Sequence, residues 1–325
     1  MPESYEDNDS RRNKVVVVTG SGKGVGKVIA TEFAKSGYYV MINDLKQVEE
    51  LKLAAEKISK EIGDDNNNKV AYVVGDVSQE KIAITLIEET VKRFGKIDTL
   101  VNTAAISEKV YSKTSETPYT STTNSLYKQS SPYFTIEEYE IADKYLKGVY
   151  YCIREAAKQM VITGYENQEK KNITTNIGAV TAGGDCSIIN ISSPYESIPK
   201  IEADAYTFSM SGVDPIISSR VGIKSLTKTV ALQLAENGIR VNAIAPGIIA
   251  ADKSGKQTME DKEKRREREK NIPFHRMGCP EEIAKIALFL ASDDASYITG
   301  SLIYADGGLS LSHSNYFLEK DIEED

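Results

Sequence analysis

The chain is short of several things, and each shortage removes a class of function. Nowhere in its 325 residues is there a run of about 18 apolar residues, so no membrane-spanning helix is expected. The opening stretch MPESYEDNDSRRNK is polar and acidic and lacks the apolar centre of a secretory signal. There are three cysteines, Cys152, Cys186 and Cys279; they form no CxxC pair and no zinc spacing, and an odd count fits poorly with a disulfide framework. They read as reduced thiols of a cytoplasmic protein. The histidines, His275 and His313, have no matched partner and read as surface or packing residues. Positive charge is in deficit, 40 Lys and Arg against 48 Asp and Glu, for a net charge of -8. That balance argues against nucleic acid or an anionic membrane as partner.

What is present is ordinary globular composition, 40% apolar and 27% charged, in a chain long enough for a large core. Short β-branched runs recur at Lys14–Thr19, Tyr38–Asn43, Lys69–Val74, Thr99–Asn102, Ser187–Ile191, Ile239–Ala245 and Ser301–Tyr304. Near-continuous apolar runs suit strands covered on both faces, as in a parallel sheet. Amphipathic helix patterns lie between them, at Gly26–Lys35, Lys46–Ile62 and Gln79–Phe94. A capping box, Thr135 to Glu138, opens a long helix expected to run to about Met160. Asp214-Pro215 starts another helix, and Asn237-Gly238 stops it. Strands alternating with helices predict right-handed crossovers and an α/β fold: a Rossmann-type, doubly wound parallel sheet of about seven strands, in a single domain. The domain is expected over 14–311, between a disordered tail at 1–13 and an acidic tail at 312–325. Surface insertions are expected near 107–132, 163–185 and 209–218. The mixed-sign run Glu260–Lys270 reads as a solvated helix.

The first strand ends in Thr19-Gly-Ser-Gly-Lys-Gly-Val-Gly26, with a helix following. Glycines permit the sharp turn and bring backbone N–H groups close to a pyrophosphate, and the helix N-terminus adds a favourable dipole. Strand, glycine loop and helix in that order point to a dinucleotide, with Thr19, Gly20, Lys23, Gly24, Val25 and Gly26 as its cradle. Asp44 closes the second strand, 24 residues after Gly20. A carboxylate there accepts hydrogen bonds from ribose hydroxyls and repels a 2′-phosphate, which favours NAD over NADP. Lys23 pulls the other way, as a cation that suits such a phosphate, but Asp44 meets the ribose directly. Asp76-Val77, after the third strand, either closes over the adenine or is a plain strand-end turn.

These residues, together with Asn102-Thr-Ala-Ala105, Ile189-Asn-Ile-Ser-Ser193, Arg240-Val-Asn-Ala-Ile-Ala-Pro-Gly247, Ile272-Pro-Phe-His-Arg-Met-Gly and the tail Tyr297-Ile-Thr-Gly…Ala305-Asp-Gly-Gly308, resemble the short-chain dehydrogenase/reductase family. The likeness runs from about Lys14 to Leu309 and is similar to 3-oxoacyl-reductase-like NAD(P)-dependent members. It implies further cofactor contacts at Asn102, Ala104, Pro246, Gly247 and Ile249. It implies a mechanism in which a tyrosine exchanges the hydroxyl proton while hydride moves to or from nicotinamide C4. A lysine lowers the tyrosine pKa, which is otherwise about 10. A serine holds the substrate oxygen, and an asparagine supports a water relay.

The catalytic half departs from that pattern. Ser193 matches the family serine, and Tyr206 lies at the family spacing thirteen residues on, but the position four residues beyond Tyr206 is Met210. Read backwards from Arg220-Val-Gly-Ile-Lys-Ser-Leu226, the family lysine falls on Arg220 and the tyrosine slot on Ile216. The asparagine position is Tyr145, the second asparagine of the NNAG pattern is Thr103, and the threonine after the Pro-Gly pair is Ala251. The expected function is alcohol–carbonyl interconversion, with Ser193 orienting substrate, Tyr206 as acid/base and Arg220 as electrostatic support. The alternative is a catalytically impaired nucleotide-binding or interaction protein. The resemblance further implies a homo-oligomer, packed through the helices near 136–160 and 215–236. The substrate pocket is expected from Pro194–Ala205 and Ile248–Asn271, whose composition names no substrate.

Overall fold

The structure, a computed structural model, describes residues 13–45, 47–66, 68–104, 136–170, 186–194, 215–250, 265, 266 and 269–312. Seven strands form one sheet: β1 (Val15–Thr19), β2 (Tyr39–Asp44), β3 (Val70–Val74), β4 (Thr99–Asn102), β5 (Ser187–Ile191), β6 (Arg240–Pro246) and β7 (Leu302–Ala305). Every pairing is parallel, in the order β3-β2-β1-β4-β5-β6-β7. The strand order reverses between β1 and β4, and in such sheets the crevice beyond the carboxyl ends of those two strands is where ligands bind.

Helices cover both faces because every strand is apolar on both sides. Within β1, Val16 and Val18 join one core, and Val17 joins the other. The first core lies under α1 (Gly24–Lys35), α2 (Val48–Glu61) and α6 (Pro280–Ala291); the second lies under α3 (Glu80–Phe94), α4 (Ile136–Lys170) and α5 (Pro215–Leu234). A last short helix, α7 (Leu309–Ser312), follows β7. Arg240 ties the sheet to the end of α6, donating to the carbonyl oxygens of Leu290 (2.6 Å) and Ser292 (3.2 Å).

The strands fall within one residue of the runs read from sequence. The long helix does not stop near Met160 but continues to Lys170, so the stretch 163–170, expected in an insertion, is helical. Its one glycine, Gly164, costs only about 1 kcal/mol, and the Glu, Gln and Lys that follow are good helix formers. Pro215 opens α5, as the Asp-Pro signal requires, so 215–218 are helical as well. The expected tails, the centres of the three insertions, Tyr206, Ala251, His313 and most of Glu260–Lys270 lie outside the described residues. Three of the undescribed segments, 105–135, 195–214 and 251–264, begin shortly after the carboxyl ends of β4, β5 and β6. None of the three cysteines is in a disulfide. Among the described residues no helix is long and apolar enough to cross a membrane, and no group of His, Cys, Asp or Glu is arranged to hold a metal ion.

Candidate active site

The glycine loop sits at the β1–β4 switch point, and it is built from contacts that leave no room for side chains. Gly20 has φ +62, and a Cβ on it would lie 2.5 Å from the Cα of Ala104. A Cβ on Gly26 would overlap the Gly20 carbonyl oxygen and the Thr103 hydroxyl. Thr19 and Thr103 close the crevice floor. The Thr19 hydroxyl accepts the backbone N–H groups of Thr103 and Ala104, both at 3.2 Å, and the Thr103 hydroxyl donates to the Thr19 carbonyl. Thr103 at the family asparagine position therefore fastens the ends of β1 and β4 together.

Helix α1 rises from this loop with its N-terminus exposed to a ligand. Lys23 precedes it in an extended conformation, no side chain caps it, and no acidic residue lies in its first turn. Its first N–H groups and positive dipole end thus face the crevice unneutralised. The contrast is α6, whose start is closed by a capping box between Cys279 and Glu282. Asp44, at the end of β2, turns its carboxylate to the loop and accepts the Gly22 N–H at 2.9 Å. Lys23 is solvent-exposed. These residues fit a dinucleotide: a tight backbone cradle, open N–H donors for a pyrophosphate, and a carboxylate one strand away for a ribose.

Asp76 and Val77 form a strand-end turn. Asp76 Oδ1 accepts the Ser78 N–H at 2.9 Å, its carbonyl accepts the Gln79 N–H at 2.9 Å, and Val77 is buried in the second core. Asn102 is buried at the end of β4. Its side chain donates to Asn190 Oδ1 (2.9 Å), Asn190 donates to the Thr227 hydroxyl (2.9 Å), and β4, β5 and α5 are joined in one line. Asn102 Oδ1 is a buried acceptor without a hydrogen-bond partner among the described residues. Beyond β6, the Gly247 N–H donates to the Ala305 carbonyl (3.0 Å), and Ile249 forms a parallel bridge with Gly278. Pro246, Gly247 and Ile249 thus stand on a braced loop. It lines a cavity of about 340 Å³ with Phe274, Tyr304 and the Arg276–Glu282 ion pair.

Ser193 lies two residues beyond the end of β5 and is half-buried. Close by, two of the departures from the family pattern meet. Arg220, from α5, lies over the ring of Tyr145, from α4, with its guanidinium carbon 4.5 Å from the ring centre. Its Nη1 donates to the Tyr145 hydroxyl, to the Ile191 carbonyl (2.8 Å) and, more weakly, to the Ser192 carbonyl (3.3 Å). The Tyr145 hydroxyl in turn donates to the Ile191 carbonyl at 2.8 Å. Burial pushes the Tyr145 phenol pKa upward, against the opposing pull of the Arg220 charge. Arg220 is therefore a fixed cation at the carboxyl end of β5, beside Ser193. The Tyr145–Arg220 contact was not foreseen from sequence. Its only signal there was that both positions differ from the family residues. Ile216 lies in the first turn of α5, four positions before Arg220, and Tyr206 lies outside the described residues.

The comparisons with known proteins agree with this geometry. A family model described as Enoyl-(Acyl carrier protein) reductase matches residues 20–165 and 174–310. Glucose 1-dehydrogenase 2 of Bacillus subtilis is 31% identical over 303 residues, covering 92% of this chain and 95% of that protein. L-rhamnose-1-dehydrogenase of Scheffersomyces stipitis is 32% identical over 301 residues, covering 92% and 96%. Among solved structures, the aldohexose dehydrogenase of Thermoplasma acidophilum superposes with a TM-score of 0.64 at 27% identity, over 93% of this chain and 96% of that one.

Proposed function

The chain belongs to the short-chain dehydrogenase/reductase family and is an NAD(P)-dependent oxidoreductase of alcohols and carbonyls; from that premise we propose that it prefers NAD and oxidises the anomeric carbon, C1, of a cyclic aldohexose. The observation that carries the cofactor choice is Asp44, whose carboxylate is hydrogen-bonded into the glycine loop where a 2′-phosphate would have to lie. The sugar class rests on two sugar dehydrogenases among the relatives and one among the solved structures.

The nucleotide supplies the hydride acceptor at nicotinamide C4. Gly24, Val25 and Gly26 would hold its pyrophosphate on backbone N–H groups at the start of α1, with Thr19 and Gly20 shaping the loop and Lys23 beside them. Asp44 receives the ribose hydroxyls, and Asp76 and Val77 flank the adenine. Asn102, Ala104, Pro246, Gly247 and Ile249 form the wall on the nicotinamide side. Ser193 would donate a hydrogen bond to the substrate oxygen and so hold the reacting carbon in place. Tyr206 takes the hydroxyl proton as the carbonyl forms. Arg220 contributes positive charge that favours the anionic form of an oxygen at this end of β5.

The experiment is a spectrophotometric assay of NADH formation by the purified chain, with NAD and NADP, on D-glucose, L-rhamnose and simple secondary alcohols. Turnover favouring NAD, lost in Tyr206→Phe and Ser193→Ala, is expected. Tight NADH binding without turnover on any substrate would overturn the catalytic reading and leave a nucleotide-binding protein. A homo-oligomer packed through α4 and α5, whose outer faces expose Tyr150 and Val221, is part of the same proposal. A monomeric mass in light scattering counts against it.

A further inference from the structure

An arginine side chain has four rotors and a delocalised charge, and at the end of a helix facing solvent it samples many positions. Arg220 does not. The ring of Tyr145 lies beneath its guanidinium, the Tyr145 hydroxyl accepts from Nη1, and the same nitrogen is held on the carbonyls of Ile191 and Ser192. The phenol is 7% exposed, and its own proton is committed to the Ile191 carbonyl. Its hydroxyl is thus engaged with the backbone and with Arg220, and burial favours its neutral form. What it touches is the peptide that leads into Ser193. Only a planar guanidinium can stack on the ring and donate along its edge at once; a lysine ammonium cannot do both.

We propose that Tyr145 is a positioning residue: it holds Arg220 against the carbonyls of Ile191 and Ser192, and the pair together fix the backbone from which the Ser193 hydroxyl projects. This rests on the reading of Ser193 as the group that orients the substrate oxygen. Tyr145 acts through Arg220, and its effect falls on the rate at saturation rather than on nucleotide affinity.

Tyr145→Phe keeps the ring and removes the hydroxyl, Arg220→Lys keeps the charge and removes the plane, and the double variant closes a cycle. With NAD and the best aldohexose, each single variant is expected to lower kcat about tenfold, the size of one lost charge-assisted hydrogen bond. KM for NAD should stay within about twofold, and the double variant should be no slower than Arg220→Lys alone. Losses that multiply in the double variant, an effect confined to KM, or a Tyr145→Phe rate equal to wild type would overturn the inference. A second measurement needs no substrate: labelling of Arg220 by phenylglyoxal, read by mass spectrometry of its peptide. Slow labelling in the wild type and labelling about tenfold faster in Tyr145→Leu, with melting confirming that the variant is folded, support the hold on Arg220. Equal labelling rates overturn it whether or not the chain turns over a substrate. Tyr145-dependent protection in a chain without turnover would instead sink the oxidoreductase reading of the site and leave the clamp standing.

Discussion

Asp44 and Gly22 are joined across two strand ends: the carboxylate that closes β2 accepts the N–H of the loop that follows β1, at 2.9 Å. One bond thereby fixes both the shape of the glycine loop and the position of the negative charge beside it. Replacing Asp44 by Asn retains an acceptor for Gly22 and removes the charge. The expected outcome is a fall in kcat/KM with NAD of about tenfold and a rise with NADP, where Lys23 then faces a 2′-phosphate unopposed. Kinetics with both nucleotides read the ratio. An unchanged ratio would show that Asp44 serves the loop only.

Gly26→Ala tests the cradle itself. The added methyl has no space between the Gly20 carbonyl and the Thr103 hydroxyl. Overpacking of this kind costs on the order of 1–3 kcal/mol and displaces the loop. NADH affinity, followed by its fluorescence on titration, should fall at least about tenfold. A far-UV spectrum should stay native, because the seven-stranded sheet does not depend on this residue.

Cys152 is fully buried among the apolar residues of the second core, and burial pushes its thiol up to about 12, from an ordinary 9.0. The folded protein keeps the proton that the unfolded chain releases as pH rises past 9. Stability linked to this group is therefore complete below pH 9 and declines as pH rises from there toward 12. Urea midpoints at pH 8 and pH 10.5 should diverge less in Cys152→Ala than in the wild type. At pH 8 the native thiol should be silent to a thiol-specific dye until urea is added.

Glu282 shows the opposite sign at the start of α6. Hydrogen bonds from Arg276 and from the Cys279 N–H hold its carboxyl down to about 2, below the ordinary 4.5. The stabilisation is present above pH 4.5 and is lost as pH falls toward 2. Melting temperatures between pH 6 and pH 3 should drop more steeply in the wild type than in Glu282→Gln. At high salt the difference should shrink, because the pair is half-exposed.

Much of this molecule can be read from its sequence, for a local reason. A strand such as Val15–Thr19 carries four valines in succession before its terminal threonine, and a loop such as Thr19–Gly26 carries its chemistry within eight residues. The parallel sheet, the switch point, the glycine cradle and Asp44 follow from such signals. The end of α4 does not, because the polar stretch beyond Met160 has the composition of a loop and the propensities of a helix. The Tyr145–Arg220 clamp is invisible for a different reason. Its members are 75 residues apart on separate helices, and their contact exists only once α4 and α5 are packed side by side. Asp76 and Val77 sit between these cases. Hydrogen bonds to Ser78 and Gln79 build a turn there, and contact with an adenine belongs to the proposal above.

The parallel sheet also bears on how such a chain diversifies. Because β4, β5 and β6 all point the same way, the segments 105–135, 195–214 and 251–264 are rooted along a single rim, shortly beyond Asn102, Ile191 and Pro246. Each is spliced between fixed anchors that belong to the sheet or its helices. Recombination with a relative can therefore exchange one segment at a time while the nucleotide cradle, built from β1, β2 and α1, is inherited intact. Exchanging 195–214 also exchanges Tyr206, so of the three segments it is the one that the proposed acid/base ties to this chain.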